Sequence, residues 1–440
     1  MKASLVPVYF KSGIDDEFRA HLALVKELLA DDADLQAPVA LGSRLPPADA
    51  VVFPQLVGDA FAQLKELKRI PLPVLVLTSD FGTVNMWDWE IVTFMKSLGI
   101  RAFTPYDIEQ TRKICRALAL KREMKEVKFL VFQDRPGVGG KQAEIFRRFW
   151  WWEDRSAELI REKFGIRIER RSFASLGEAA KKIGDAEARA ALGNRPVPTH
   201  GLGERPLGSA LKLYLAVRRE VDADPAIQGA GINCLNESEY SDTTPCLAWD
   251  LLYQDRRLIW ACEADTLSLL TMFLLERSLR APIMMSNLYP FLMGGAALKH
   301  EKIDRFPDVP EPENHLLMVH CGFFGVVPRP FCNAWTLRPR VLSIVDENAH
   351  AMDARMPVGA MTLSKLHPEL SRMQVIQGDL EDYVQYPAGT DCRNGALLKV
   401  KDGHALMKAF YSHHYCLLSG RHAVDIENVA RVMEMGTEVL

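Results

Sequence analysis

Between Cys262 and Phe291 the chain reads CEADTLSLLTMFLLERSLRAPIMMSNLYPF, with polar residues at both ends of an apolar run. Glu263 and Asp265 form an acidic turn at the head of a predicted helix that runs to about Leu279. A short strand, IMM, follows and is expected to end on Ser286 and Asn287. One helix–strand unit would then aim a carboxylate and an amide at a single ligand. The ordinary alternative is that the acidic residues simply cap the helix, whose free N–H groups and dipole favour them. Histidines gather further on: His315, His320, His350, His367, His404, His413, His414 and His422 are eight of the eleven in the chain. A lone histidine is usually structural, but this concentration favours a metal or acid–base role.

The elements that must position these residues fall into three textures. From the N-terminus, SLVPVYF, DAVVFPQL, PVLVLTSDFG and IRAF read as short apolar strands. They alternate with helices over EFRAHLALVKELLADD, DAFAQLKELKRI, the segment through Trp87 to Leu98, and Ile108 to Met124. Alternating strands and helices predict a parallel α/β sheet, which assigns residues 1–125 to a first domain. Thr78, Ser79 and Asp80 follow a strand, where ligands of such sheets collect, although capping explains them as well.

A second α/β domain, 126–310, begins with VKFLVFQ. Its loop PGVGGK invites a phosphate-binding reading but has neither the GxxxxGK[ST] nor the GxGxxG spacing, so plain glycine punctuation is the better account. FGIRIERRSF is a strand and SLGEAAKKIGDAEARAALG is helical. NRPVPTHGLGERPLG is the best candidate for a linker or a loop over a cleft, and a further helix runs from Ser209 to Glu220. Trp150, Trp151 and Trp152 read as helix packing or a subunit interface. AIQGAGINCLNES is a strand with Asn233, Cys234, Asn236 and Glu237 at its end. Cys234, Cys246 and Cys262 lack the close spacing of a zinc site and read as small buried thiols. Beyond Pro310, HLLMVHCGFFG, VLSIVDE, ALLKVKDG and YCLLSG predict a mainly antiparallel β domain over 311–440, closed by the helix IENVARVME.

Composition narrows the function. A chain of 440 residues exceeds the usual size of one hydrophobic core. A net charge of -3 with both signs mixed gives no basic field for nucleic acid. The longest uncharged run, Ala281 to Leu298, is broken by prolines, glycines, Ser286 and Asn287, which argues against a membrane span. The N-terminus lacks a signal-peptide core, and the eight cysteines form no dense framework. A cytoplasmic location is therefore expected.

The segment from Cys262 to Phe291 resembles the metal-site segment of the L-fucose and L-arabinose isomerase group. In fucose isomerases a glutamate in a Glu-x-Asp turn begins a helix, and an aspartate stands on the next strand 24 residues later. Glu263 matches the glutamate, and 24 residues on stands Asn287. The family's metal-binding histidine, followed six residues later by a glycine and then a closing helix, is matched by His414 and Gly420 in HHYCLLSGRHAVDIENVARVMEMG. The order of domains, two Rossmann-like α/β units and then a β-rich unit, is similar along nearly the whole chain.

The resemblance implies a metal-dependent aldose–ketose isomerase acting on a small sugar or sugar derivative through an enediolate. It also implies a divalent metal, Mn²⁺ in the family, and a homo-oligomer, trimer or hexamer. Hard oxygen ligands with an imidazole suit such a metal, and flanking carboxylates move the proton. It makes Glu263 a ligand and base, Asn287 and His414 ligands, with His413 the rival of His414. His320, in VHCG, becomes a further ligand or a substrate contact. Asp265 becomes a cap, a partner behind the ligands, or a substrate-binding residue. Asn287 departs from the pattern, because an amide is neutral and takes no proton. Either another group such as Asp265, Glu347 or a histidine moves the proton, or one base suffices, or the site only binds. The alternatives are a sugar-binding or regulatory relative and a metal-dependent epimerase or lyase.

Overall fold

The structure, a computed structural model, describes residues 2–56, 58–137, 149–290, 308–320, 327–339, 348–384 and 395–440. These form two compact units. The first comprises Met1–Met124, Arg277–Arg280 and Val424–Met435; the second comprises Lys125–Glu276, Ala281–Ala423 and Gly436–Leu440.

In the first unit the short apolar runs become a parallel sheet. Its strands are β1 (Ala3–Tyr9), β2 (Ala33–Leu35), β3 (Val39–Ala40), β4 (Ala50–Phe53), β5 (Val74–Val76) and β6 (Ala102–Phe103). The order is β2-β1-β4-β5-β6, with β3 beside the end of β1. Every residue of β4 and β5 is buried, which is why AVVF and VLV show no alternation. Asp15 caps the helix Asp16–Leu28 by accepting the Phe18 N–H at 2.7 Å. Asp107 caps Ile108–Glu123 in the same way through Gln110. The helix expected over DAFAQLKELKRI is two single turns, Asp59–Ala62 and Leu64–Leu67, because Gln63 between them leaves helical geometry at φ -116° and ψ 33°.

The second unit holds two sheets. One is parallel, with β7 (Lys128–Phe132), β8 (Arg167–Arg171), β9 (Ile227–Ile232) and β10 (Ile259–Cys262) in the order β10-β9-β7-β8. The other uses β11 (Met284–Pro290) and β12 (His315–Val319), then β15 (Gly359–Leu366), β16 (Arg372–Val384), β17 (Gly395–Val400) and β18 (His414–Ser419). These pair antiparallel around a closed ring, β15-β18-β11-β12-β17-β16 and back to β15. A parallel strand β19 (Gly436–Val439) adds to β16. Between β12 and β15 in the sequence, β13 (Ala334–Pro339) and β14 (His350–Arg355) form a separate antiparallel pair.

Closure depends on β16, which is 13 residues long and pairs with β15 along one stretch and β17 along the next, with a bulge between Leu380 and Asp382. Gly378 lies where both neighbours meet this strand, and a Cβ there would sit 2.5 Å from the Lys399 carbonyl oxygen.

Three expectations are corrected. The strand at IMM does not stop at Ser286 and Asn287. It continues to Pro290, because β12 pairs with Asn287–Pro290 where the pairing of β18 with Met284–Asn287 ends, so a partner strand runs beside it along its whole length. It also joins the antiparallel sheet, so the barrel begins at Met284 and not after Pro310. The tract NRPVPTHGLGERPLG is not a linker between units, since both flanks belong to the second unit. Pro198 and His200 exchange backbone hydrogen bonds with Leu337 of β13, at 2.8 and 2.9 Å, and a helix takes over at Glu204.

Candidate metal centre

The chain leaves β10 through an unusual turn. Glu263 (φ 53°) and Ala264 (φ 50°) both adopt left-handed backbone, which costs a residue with a Cβ about 1–2 kcal/mol. Specific contacts hold it there. The indole N–H groups of Trp151 and Trp152 donate to the Glu263 carbonyl at 3.2 and 2.7 Å. The Ala264 N–H donates to the Ile232 carbonyl at the end of β9, at 3.0 Å. Gly231 leaves the room this needs: a Cβ there would lie 3.2 Å from both the Ala264 Cα and the Ala261 carbonyl oxygen. Strain concentrated and held by several elements is a mark of functional positions.

Asp265 comes next and is fully buried. Its Oδ1 accepts the N–H groups of Leu267 and Ser268, at 3.0 and 2.9 Å, and so starts the helix Thr266–Leu279. Its Oδ2 accepts from His414 Nδ1 (2.9 Å), Lys365 Nζ (2.7 Å) and Ser268 Oγ (2.8 Å). Burial alone would raise its pKa, but the Lys365 ammonium and the His414 bond hold the carboxyl far below its usual range.

His414 begins β18, directly opposite Asn287 of β11. With Nδ1 donating to Asp265, the ring keeps its proton there whenever it is neutral and then presents the Nε2 lone pair. That Nε2 is buried without a hydrogen-bond partner among the described residues, and so is Glu263 Oε2. Glu263 Oε1 lies 3.7 Å from His414 Nε2, beyond hydrogen-bond range but close enough to attract the ring when it is protonated. His320, one residue past β12, packs its ring against His414 at 6.0 Å between centroids. Glu263, His320 and His414 each offer a donor atom within 4.8 Å of the others, and all three are buried.

Electrostatics follow the geometry. Burial opposes ionisation of Glu263, yet His414 beside it outweighs this and brings its pKa to about 2. Burial would lower the His414 pKa, but Glu263 and Asp265 raise it to about 9. His413 is driven down to about 3 by burial and by the neighbouring His414 charge, and remains neutral.

The sequence candidates therefore separate. Glu263, His414 and His320 come together. Asn287 lies across from His414, its Oδ1 buried and without a partner among the described residues, while its Nδ2 donates to the Tyr289 hydroxyl at 3.3 Å. An amide oxygen so placed is a neutral donor that suits a cation. Asp265 does not serve as a substrate contact, because both of its oxygens are occupied within the protein. His413 is outside the donor group and packs on Phe149, Trp151 and His414.

The group contains no cysteine. Of the other histidines, His315 bonds Glu381 and the Glu311 carbonyl, and His350 accepts the Leu247 N–H. Glu347 and residues 138–148, which include most of PGVGGK, lie outside the described residues. The Gly137 N–H donates to Asn236 Oδ1, and Glu237 accepts the N–H groups of Asp134 and Arg135, so these polar residues shape the loop.

In the first unit, Thr78, Ser79 and Asp80 border a cleft of about 710 Å³. Thr78 donates to Asp88 at 2.5 Å and Ser79 bonds Thr83 at 2.7 Å, so both build the loop itself. Lys365 and Ser268 had no signal in the sequence. Trp151 and Trp152 had one, three consecutive tryptophans, but their indole N–H groups do more than fill space.

Compared with known proteins, the chain matches no family model, and no curated protein matches it. Among the described residues no helix is long and apolar enough to cross a membrane.

Proposed function

We propose that the second unit carries a divalent-metal site for proton transfer next to a carbonyl, in an enzyme of the aldose–ketose isomerase type acting on a small sugar or sugar derivative. The observation that carries this reading is the buried triad Glu263, His320 and His414, with Glu263 Oε2 and His414 Nε2 lacking a hydrogen-bond partner among the described residues. Burying such groups unpaired costs several kcal/mol, roughly 1–3 for each neutral group and more for a charge, unless a ligand completes them. Two imidazoles and a carboxylate fit a first-row divalent ion, and Mn²⁺ is the choice the isomerase resemblance implies. When bound, the cation would supply Lewis acidity to the reacting carbonyl.

Glu263 is held ionised, with one oxygen toward the imidazoles and the other free to take a proton from carbon. Asp265 fixes the His414 tautomer. The indoles of Trp151 and Trp152 hold the Glu263 backbone, and the residue is buried from water. Asn287 can hold a cation or a hydroxyl but cannot exchange a proton, so the return of the proton falls to Glu263 itself. That substitution favours a second reading, a relative that binds sugar without turning it over. Metal analysis of purified protein and exchange of the C2 proton of aldoses in deuterated buffer separate the two. Stoichiometric metal with exchange supports the enzyme. Bound metal and sugar without exchange supports the binding relative, and absence of metal rejects the site.

A further inference from the structure

We propose that Lys365 is a positioning residue for His414, acting through Asp265; this rests on the metal reading above. Lys365 lies on β15, the barrel strand beside β18, and is 1% exposed. Its ammonium donates to Asp265 Oδ2 at 2.7 Å and to Ser268 Oγ at 2.6 Å, and stands 5.5 Å from the centre of the Trp151 ring. The Ser268 hydroxyl in turn donates a hydrogen bond to the same Asp265 oxygen at 2.8 Å.

One carboxylate oxygen therefore collects Lys365, Ser268 and His414, while the other is tied to two backbone N–H groups at the helix start. Fixed from a helix on one side and a barrel strand on the other, the carboxylate cannot rotate. The Nδ1–H bond it accepts then sets the plane of the imidazole and turns Nε2 toward Glu263 and His320. Lys365 also supplies the positive charge that lets a second carboxylate lie fully buried behind the Glu263 site. Without it, Asp265 keeps only a hydroxyl, two amides and the imidazole. Partners behind a metal ligand orient it, and losing one typically costs 10–100-fold in affinity.

The test is Co²⁺ binding, read by titration and by the ligand-field absorption of the bound ion, on the wild type, Lys365→Met, Lys365→Gln and the control Leu363→Ala. Leu363 is a buried neighbour on the same strand. Lys365→Met is expected to bind Co²⁺ at least about ten-fold more weakly, with an altered absorption. Leu363→Ala is expected to lower Tm while leaving affinity and absorption as in the wild type.

A folded Lys365→Met with wild-type affinity and spectrum overturns the proposal, as does a Leu363→Ala variant that weakens Co²⁺ binding equally. Should Lys365→Met not fold, Lys365→Gln decides by the same readings. If the wild type itself binds no Co²⁺, the metal reading fails; if it binds and the Lys365 variants bind equally, the positioning role alone fails.

Discussion

In the proposed enzyme Glu263 would be a ligand and a base at once, and its surroundings allow both. His414 keeps it ionised at a pKa of about 2 despite burial, and its backbone is held by two indoles, so the side chain is left for chemistry. Glu263→Gln keeps the shape and removes the charge. Turnover is expected to fall by roughly 10²–10⁴-fold, the usual share of a general base, with weaker metal binding and a Tm within a few degrees of the wild type. Steady-state rates, metal titration and calorimetry check this. Asn287→Asp adds an anion opposite His414. Tighter Mn²⁺ binding and a gain in aldose isomerisation are expected, both measurable by titration and product analysis.

Of these residues, Glu263 was marked locally by the acidic turn at the helix start, whereas His414 was singled out, with His413 as its rival, only through the spacing of the isomerase resemblance. His320 was only a loose candidate, since its place in the triad depends on which barrel strands are neighbours. Lys365 was silent: a lysine among buried strand residues looks like any outward-facing one until its partner across the fold is known.

At the scale of elements, the turn after β10 is where local preference and tertiary contact disagree. Glu263 and Ala264 resist left-handed backbone, and Trp151, Trp152, Ile232 and the absent side chain of Gly231 overrule them. Trp152→Phe removes the 2.7 Å hydrogen bond to the Glu263 carbonyl while keeping most of the apolar surface. A loss of about 1–2 kcal/mol in stability is expected, read by denaturant unfolding, together with weaker metal binding. Gly231→Val places atoms against the Ala264 Cα and is expected to displace the turn, so metal binding should fall more than secondary structure, measured by titration beside circular dichroism.

The helix Thr266–Leu279 and most strands were readable from periodicity and caps. Strand β11 was misjudged at its end because SNLYP has turn-forming chemistry, and pairing with β12 along Asn287–Pro290 keeps it extended.

For the whole molecule, the buried charges link metal, proton and stability. In the metal-free protein His414 has its pKa raised from 6.5 to about 9. A raised folded-state value means that its stabilising contribution is fully present below about pH 6.5 and is lost as the pH rises through about 9. Glu263, lowered from 4.5 to about 2, contributes above about pH 4.5 and loses its contribution as the pH falls toward 2. The Tm of metal-free protein should therefore decline between about pH 6.5 and 9, and added Mn²⁺ should reduce that decline, because metal binding requires the His414 proton to leave. Thermal scans across this range with and without metal check the sign.

By itself the sequence determined the α/β and β textures, the helix caps and the acidic turn, since these depend on neighbours within a few residues. Only the tertiary structure decided that β11 enters the barrel, that His320 and His414 meet Glu263, and that Lys365 lies behind them. These are contacts across some 50 to 150 residues of chain, fixed by strand order and barrel closure rather than by any local preference.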